Sequence, residues 1–218
     1  MHARLSRAIS FVIGLAFVVA VASAQVADDS REKSEKVSEI LAALQAAPGK
    51  LIADVGAGEG FYSLRIAQAV GPTGRVTAVD VSEKYLEKLR ARLRDAKIAN
   101  VDVVVGAIDD PRLPAGAFDA VLIYNAYHEM TEPDAILKAV FAGLKPGGRL
   151  VMAEPLHDNL RSATRADQIK EHEIGDNYVQ EELKRAGFEI IDRRPDFLAF
   201  TSPGHKGGFW LLVASKPQ

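Results

Sequence analysis

Between Leu51 and Glu154 the sequence alternates short apolar runs with longer segments of helical period. The apolar runs are LIADV, RVTAVD, VDVVVG, FDAVLIYN and RLVMAE. Alternating strands and helices are typical of a sheet whose parallel strands are joined by right-handed crossovers. Helices cover both faces of such a sheet, so its strands are apolar along most of their length. We therefore predict an α/β fold, a Rossmann-like three-layer sandwich around a mostly parallel sheet.

The segment SEKYLEKLRARLRDAKI indicates how one of these helices packs. Ser82 stands at the N-cap position, where serine is favoured. Apolar side chains then recur three or four residues apart, as on the buried face of a helix. The side chains predicted to face the sheet are Tyr85, Leu86, Leu89 and Leu93.

The end of the chain departs from this alternation. The helical segment DNYVQEELKRAGF is followed by two apolar runs, EIIDRRP and GFWLLVASKP, with no helix between them. Consecutive strands joined by a short connection pair antiparallel, so the sheet is expected to end in an antiparallel pair. We interpret Ser202–Trp210, a glycine-rich segment, as the hairpin loop of that pair rather than as a substrate lid.

The N-terminus has the three-part layout of a secretory signal peptide. Arg4 and Arg7 precede an uncharged apolar run, and Ala22-Ser23-Ala24 forms a small-x-small cleavage pattern. The run is shorter than the roughly 20 residues that span a membrane, so an uncleaved anchor is the alternative. We predict a signal peptide at 1–24, an exported protein that is periplasmic or secreted without a stable membrane anchor, and one domain at 25–218. Residues 25–50 are predicted to form a helical extension of that domain.

Composition narrows the range of partners. The formal net charge is −2 and no long basic run occurs, which gives no reason to expect a nucleic acid partner. The chain has no cysteine, so disulfides, thiol catalysis and cysteine-bound zinc are excluded. A small-molecule substrate is the partner we expect, and the oligomeric state stays open.

The loop after the first strand reads Asp54-Val55-Gly56-Ala57-Gly58-Glu59-Gly60. A dinucleotide loop has the spacing G-x-G-x-x-G, but here the third glycine comes one residue early. Asp54 would also repel a pyrophosphate. Asp80 ends the second strand about 20 residues later, where a carboxylate accepts ribose hydroxyls. Because these residues and the third strand's end at Gly106 meet at one sheet edge, we predict a nucleoside site there.

Four motifs, D-V-G-A-G-E-G, V-T-A-V-D, F-D-A-V-L-I and L-K-P-G-G-R-L-V-M-A-E, occur in this order. As an ordered set they resemble the motifs of class I S-adenosylmethionine-dependent methyltransferases, and the resemblance extends from about Lys36 to the C-terminus. It implies a seven-stranded sheet of order 3-2-1-4-5-7-6 with an antiparallel last strand. It also implies S-adenosyl-L-methionine as the cofactor.

The resemblance also implies which residues hold the cofactor. The glycine loop would lie against the methionine tail, whose carboxylate can meet backbone N–H groups; Asp54 would hold the amino group and Asp80 the ribose. The full set of implied contacts is Asp54, Gly56, Ala57, Gly58, Asp80, Val81, Ala107, Ile108 and Asn125. Many relatives have an aspartate where this chain has Ala107, so Asp109, Asp110 or backbone carbonyls would receive the adenine amino group.

Candidate catalytic residues follow the fourth and fifth strands. The loops read Asn125-Ala126-Tyr127-His128-Glu129 and Glu154-Pro155-Leu156-His157-Asp158. In this superfamily the loop after the fourth strand faces the transferable methyl group, so His128 is the leading candidate for a general base. Glu154 and His157 complete the catalytic set.

We predict no metal site, although His128, His157, His172 and Glu154 are able to converge. The reason is that no pair of ligands has a spacing such as H-x-x-x-H. The Asn-Pro-Pro-Tyr type of signature of DNA and protein amide methylation is also absent, which leaves a small-molecule acceptor with an oxygen, nitrogen or carbon nucleophile.

The predicted function is therefore methyl transfer from S-adenosylmethionine to a small molecule by an exported protein. Two alternatives stay open. The first is an exported nucleoside-binding module without turnover, because S-adenosylmethionine is made in the cytoplasm. The second is a nicotinamide-dependent oxidoreductase, which the loop spacing and Asp54 disfavour.

Overall fold

The structure, a computed structural model, describes residues 35–200 and 206–218. Residues 38–218 form one compact unit. The predicted signal peptide at 1–24 lies outside the described residues, as do residues 202–205 of the predicted hairpin loop, whereas residues 207–210 of that loop belong to the last strand. Within the described part of the chain, none of the helices has both the length and the apolar character needed to cross a membrane.

Helices and strands alternate in the first part of the described chain, but no helix joins the strands that end at Val105 and begin at Phe118, contrary to the strict alternation that the sequence predicts. The helices are α1 (Val37–Ala43), α2 (Phe61–Val70), α3 (Glu83–Asp95), α4 (Pro133–Gly143), α5 (Arg165–Lys170) and α6 (Asp176–Arg185). The strands are β1 (Leu51–Val55), β2 (Arg75–Asp80), β3 (Val101–Val105), β4 (Phe118–Tyr124), β5 (Leu144–His157), β6 (Glu189–Ala199) and β7 (Gly207–Ser215). Short 3-10 helices at Tyr127–Glu129 and Asp158–Leu160 follow β4 and β5.

The strands form one seven-stranded sheet of order β3-β2-β1-β4-β5-β7-β6. The pairs among β1 to β5 are parallel, whereas β7 runs antiparallel to both β5 and β6. This arrangement confirms the predicted α/β class, the strand order and the antiparallel end of the sheet.

Two strands extend beyond their predicted bounds. β5 begins at Leu144, ahead of the predicted Arg149, because Leu144 pairs with Phe118 before an irregularity in the register. β6 continues past the predicted end at Pro195, which lacks an N–H for the ladder, and pairing resumes at Leu198. These irregularities carry no signal in the hydrophobic pattern.

The core lies on both faces of the central strands. Residues 121–123 of β4 and 150–152 of β5 are fully buried, so successive side chains are covered on opposite faces of the sheet. On the side of β1 that lies away from β4, α3 packs against β2 and β3 and buries Leu86, Leu89 and Leu93 as predicted.

Tyr85 is the exception on α3. The sequence pattern predicts it among the buried side chains, but 45% of it is exposed. It lies in the first turn of α3, at the edge of the sheet, and it faces a cleft instead of the core. The prediction was wrong because a helical stripe gives the direction of a side chain but not where the neighbouring strands end.

Candidate active site

A cleft of about 760 Å³ opens at the carboxyl ends of the parallel strands. Residues that follow or end four strands line it: Gly56 after β1, Asp80 in β2, Gly106 after β3 and Asn125 after β4. β1 lies between β2 and β4 in the sheet, so the chain crosses to opposite sides from this point. Open parallel sheets bind ligands at such a switch point, and the volume suits a drug-sized ligand.

The glycine loop after β1 lies close to the loop after β4. Gly56 has a φ of +80°, and a Cβ there would be 2.4 Å from the Cβ of Ala126. Gly58 has a φ of +54° and lines the cleft, and a Cβ there would meet no atom within 4 Å. Glycine at the first position therefore permits close contact between two loops, and glycine at the second leaves the cleft wall open.

The backbone N–H groups of this loop are bonded within the protein. Those of Gly56 and Ala57 donate to the carbonyl of Val79, and that of Gly60 donates to the carbonyl of Ala57. The N–H of Gly58 donates to Asp80. The expectation that these N–H groups meet the cofactor's carboxylate is therefore not supported at these positions. The loop provides space for the tail.

Asp80 is held in place at the end of β2. Its Oδ2 accepts the Gly58 N–H at 2.8 Å and its Oδ1 accepts the Ser82 N–H at 2.8 Å. An ionised carboxylate has about four lone-pair sites, so each oxygen keeps one for a further donor. Since Asp80 lines the cleft, the arrangement suits the two hydroxyls of a ribose.

Asp54 is buried below the loop and accepts a hydrogen bond from Ser63 Oγ at 2.5 Å. Burial, with a smaller contribution from the charge of Asp80, raises the pKa of Asp54 from 3.8 to about 6. Neither Asp54 nor Ala57 is among the residues that line the cleft. The implied contact between Asp54 and the cofactor amino group stays a prediction.

The raised pKa of Asp54 predicts a pH-dependent cost to stability. Because the folded-state pKa is the higher one, Asp54 costs no stability below about pH 4, and its cost grows as the pH rises to about 6. Asp54→Asn removes this loss. Between pH 4.5 and pH 7.5, the free energy of unfolding of the variant relative to wild type should rise by about 2 kcal/mol, measured by urea denaturation. If the difference in free energy of unfolding between the variant and wild type does not change with pH, the raised pKa of Asp54 is contradicted.

The far rim of the cleft exposes apolar side chains. Val81 is 60% exposed and Ile108 62% exposed, and both line the cleft together with Ala107 and Tyr85. Exposed apolar surface of this kind suits the face of an adenine ring. Val81, Ala107 and Ile108 were predicted here. Tyr85 was missed, although its place in the first turn of the helix after Asp80 was a usable signal.

The adenine rim has no substitute carboxylate from the next loop. The Ala107 N–H donates to the carbonyl of Asp110 at 2.7 Å, which closes the loop into a turn. Asp110 Oδ1 in turn accepts the Arg112 N–H. Neither Asp109 nor Asp110 lines the cleft, so backbone groups are the remaining candidates for the adenine amino group.

His128 lies at the opposite end of the cleft, in the 3-10 helix after β4. It is buried, and its Nδ1 lies 2.5 Å from Glu154 Oε2. Burial alone would lower the pKa of His128, but the hydrogen bond and charge of Glu154, aided by Glu129, raise it above its ordinary value. The imidazole is thereby made a stronger proton acceptor, and its Nε2 is the atom not engaged by Glu154.

Glu154 contacts His128 from the buried side, away from the cleft. Its side chain is fully buried, its Oε1 accepts the N–H groups of Ala126 and Tyr127, and it does not line the cleft. The predicted catalytic carboxylate therefore does not face the cleft, and its hydrogen bond is placed to orient the ring of His128. A second buried carboxylate, Glu182, accepts the Tyr127 O–H at 2.8 Å and ties the same turn to α6.

His157 does not share this site. Its ring pairs with Glu173, and its backbone N–H donates to the same carboxylate. Its ring also packs against Phe200, with 4.4 Å between ring centres. His157 is not among the cleft residues. The structure thus separates His157 from His128 because β5 continues beyond Glu154 before His157 is reached.

The structure brings a different histidine towards His128. Glu129 lines the cleft beside His128, and its Oε1 lies 3.3 Å from His128 Nε2 and 2.5 Å from His172 Nδ1. His128 and His172 were among the histidines that the sequence allowed to converge, but Glu129 was missed, and no ligand spacing along the chain indicates the group because His172 lies on the segment after α5.

Comparison with known proteins adds the family. Residues 52–148 match a family model described as a methyltransferase domain. These residues are therefore similar to methyltransferase domains. The strand order above agrees with the fold expected from the resemblance, and S-adenosyl-L-methionine is the cofactor that such domains imply.

Individual relatives agree at the level of the domain. The domain is similar to the ubiquinone/menaquinone biosynthesis C-methyltransferase UbiE of Shewanella halifaxensis, with 32% identity over 120 residues. That match covers 53% of this chain and 48% of the relative, so the chain spans about half the length of such curated relatives.

Solved structures agree in fold. A SAM-dependent methyltransferase from Aquifex aeolicus superposes with a TM-score of 0.72 at 21% identity, covering 86% of this chain and 93% of that one. The [4+2]-cyclase SpnF also superposes with a TM-score of 0.72, at 22% identity, over 84% of this chain and 81% of its own. At these identities the likeness concerns the fold alone.

The cleft fits the implied cofactor in three respects. Asp80 offers free lone pairs to a ribose, exposed apolar side chains form a rim for an adenine, and Gly58 leaves the wall open for the methionine tail. When ionised, the carboxylate of Asp80 in the cleft lining and that of Asp54 below it have the sign that attracts an ammonium and a sulfonium.

Proposed function

We propose that this protein transfers a methyl group from S-adenosylmethionine to a small-molecule acceptor with an oxygen, nitrogen or carbon nucleophile. One observation carries the proposal most: Asp80 and His128 line the same cleft. A nucleoside held at Asp80 therefore shares a cavity with a buried, oriented imidazole.

The residues divide the work by their position in the cleft. S-adenosylmethionine, when bound, supplies an electrophilic methyl group. Asp80 binds the ribose, the rim around Tyr85 covers the adenine, and the open wall at Gly58 accommodates the tail. His128 contacts the acceptor, holding its nucleophilic group and receiving its proton where it arrives protonated. Much of the rate then comes from alignment of the two reactants.

The acceptor end of the cleft favours a partly apolar small molecule. Besides His128 and Glu129, it is lined by Met130, Thr131 and Ile136. The cleft's lining combines a few polar groups with apolar ones, as in small-molecule sites. Quinol-like phenols are one acceptor class to test, since a similar protein is named as a quinone-biosynthesis methyltransferase.

Export is part of the proposal and rests on the predicted signal peptide. The intact mass of the protein from its native host tests it. Cleavage after Ala24 is expected, leaving Gln25 as the first residue. A mass that retains residues 1–24 would contradict a cleaved signal and favour an N-terminal anchor.

Calorimetric titration separates the proposal from its alternatives. We expect the protein to bind S-adenosylmethionine and S-adenosylhomocysteine and not NADH. Binding of NADH alone would favour the oxidoreductase, and binding of neither methionine derivative would overturn the proposal.

Turnover distinguishes an enzyme from a binding module with the same fold. The full chain is incubated with S-adenosylmethionine and phenols, quinols, amines or activated methylene compounds. Mass spectrometry is expected to detect S-adenosylhomocysteine and an acceptor heavier by one methylene. Cofactor binding without product from any of these classes would favour the binding module. Such a function is compatible with the fold, because a cyclase has a similar fold and one fold can host several functions.

A further inference from the structure

We propose that His128, Glu129 and His172 form a binding site for a divalent transition metal at the acceptor end of the cleft. Binding of the metal does not depend on the proposed function. The role of the metal in methyl transfer does rest on it. One ligand atom from each of the three side chains lies within 4.8 Å of the other two.

The distances between ligand atoms approach those around a bound ion. In a tetrahedral site, metal–nitrogen and metal–oxygen bonds of about 2.0–2.2 Å place adjacent ligand atoms about 3.3–3.6 Å apart. His128 Nε2 and Glu129 Oε1 are 3.3 Å apart, so this edge already fits. Glu129 Oε1 and His172 Nδ1 are 2.5 Å apart and must separate slightly. Both side chains are more than half exposed and are free to adjust.

The environment of His128 provides a second, independent observation. A metal-bound histidine commonly donates its other ring N–H to a carboxylate, which fixes its tautomer and orientation. His128 has this arrangement, because its Nδ1 is engaged by the buried Glu154 and Nε2 remains on the side of Glu129. Glu154 is itself held by two backbone N–H groups. The orientation of His128 Nε2 is therefore built into the fold.

The donor set indicates the class of metal. Two imidazoles and one carboxylate, without thiolate, occur in catalytic zinc sites that keep a position open. His128 and Glu129 line the cleft, so an open position would face the acceptor. With His128 Nε2 bound to it, the metal would replace the direct contact of the imidazole with the acceptor. It would bind an acceptor oxygen, orient the nucleophile and lower its pKa, so that the proton is lost to solvent. This predicts acceptors that carry an oxygen ligand, such as a hydroxyl or carboxylate.

Metal binding is tested on the full, untagged chain after dialysis against chelator. Zn²⁺ titrated by calorimetry is expected to bind with one ion per chain. His172→Ala and Glu129→Gln should abolish this binding, and Glu154→Gln should weaken it by about 10- to 100-fold, the usual effect of a supporting carboxylate. His157→Ala is the matched control, since it removes another histidine that pairs with a glutamate outside the cleft, and it should leave binding unchanged.

Co²⁺ serves as a spectroscopic probe of the same site. Visible absorption bands of bound Co²⁺ should appear with wild type and His157→Ala and be absent with His172→Ala, whose fold is checked by circular dichroism. Zinc binding that survives His172→Ala, or no binding by wild type, would overturn the inference. A protein that binds S-adenosylhomocysteine but not Zn²⁺ would refute the metal site alone, whereas one that binds Zn²⁺ but not S-adenosylhomocysteine would refute the proposed function alone.

Discussion

Asp80→Ala is expected to weaken the binding of S-adenosylhomocysteine by at least about 100-fold. Each hydrogen bond between a ribose hydroxyl and a carboxylate contributes about 1.5–3 kcal/mol, and about 1.4 kcal/mol corresponds to tenfold in affinity. The variant loses two such bonds. It also releases the N–H of Gly58, so the open wall of the cleft is less well ordered. Calorimetry of the purified variant measures the loss directly.

Asp102→Ala is the matched control for this variant. Asp102 is also an aspartate of the parallel part of the sheet, but it forms an exposed ion pair with Arg75 and does not line the cleft. The affinity of the Asp102→Ala variant for S-adenosylhomocysteine should stay within about threefold of the wild-type value, since exposed ion pairs contribute little to stability. Asp80→Asn, which keeps one carbonyl oxygen, should lie between the two. Unchanged affinity in a folded Asp80→Ala variant would show that Asp80 does not hold the ribose.

His128→Ala is expected to lower kcat by about 100-fold or more, the range typical of a positioned acid–base or acceptor-orienting group. The affinity for S-adenosylhomocysteine should be unchanged, because His128 lies at the far end of the cleft from Asp80. This separation of kcat from cofactor affinity is what distinguishes a residue that contacts the acceptor from one that supports the fold.

His157→Ala provides the comparison. The ring of His157 pairs with Glu173 and lies outside the cleft lining. The kcat of the His157→Ala variant should therefore stay within about threefold of the wild-type value. An unimpaired His128→Ala variant, or a His157→Ala variant that loses turnover, would require the acceptor to lie elsewhere. Either result would overturn the assignment of the acceptor end.

Much of the fold follows from local pattern and ordered motifs. Apolar runs such as LIADV and FDAVLIYN mark buried strands because both faces of a central strand are covered, and the resemblance supplies the strand order. Bounds were less accurate at β5 and β6, where a register irregularity and Pro195 interrupt pairing without changing hydrophobicity.

The site was predicted in part, and the reason is geometric. Asp80 and Gly58 were found because residues after neighbouring parallel strands meet at one edge. The pairing of Glu154 with His128 is also a consequence of neighbouring strands, but burial decides that Glu154 supports the imidazole and does not face the cleft. The approach of His172 depends on the path of the chain after β5, which no local pattern encodes.

A crystal structure of the protein with S-adenosylhomocysteine tests the central claim most directly. We predict the ribose hydroxyls at hydrogen-bond distance from Asp80, the adenine beside Tyr85, and the sulfur directed towards the end of the cleft formed by His128 and Glu129. A ribose bound away from Asp80, or a sulfur directed away from His128, would contradict the proposed site.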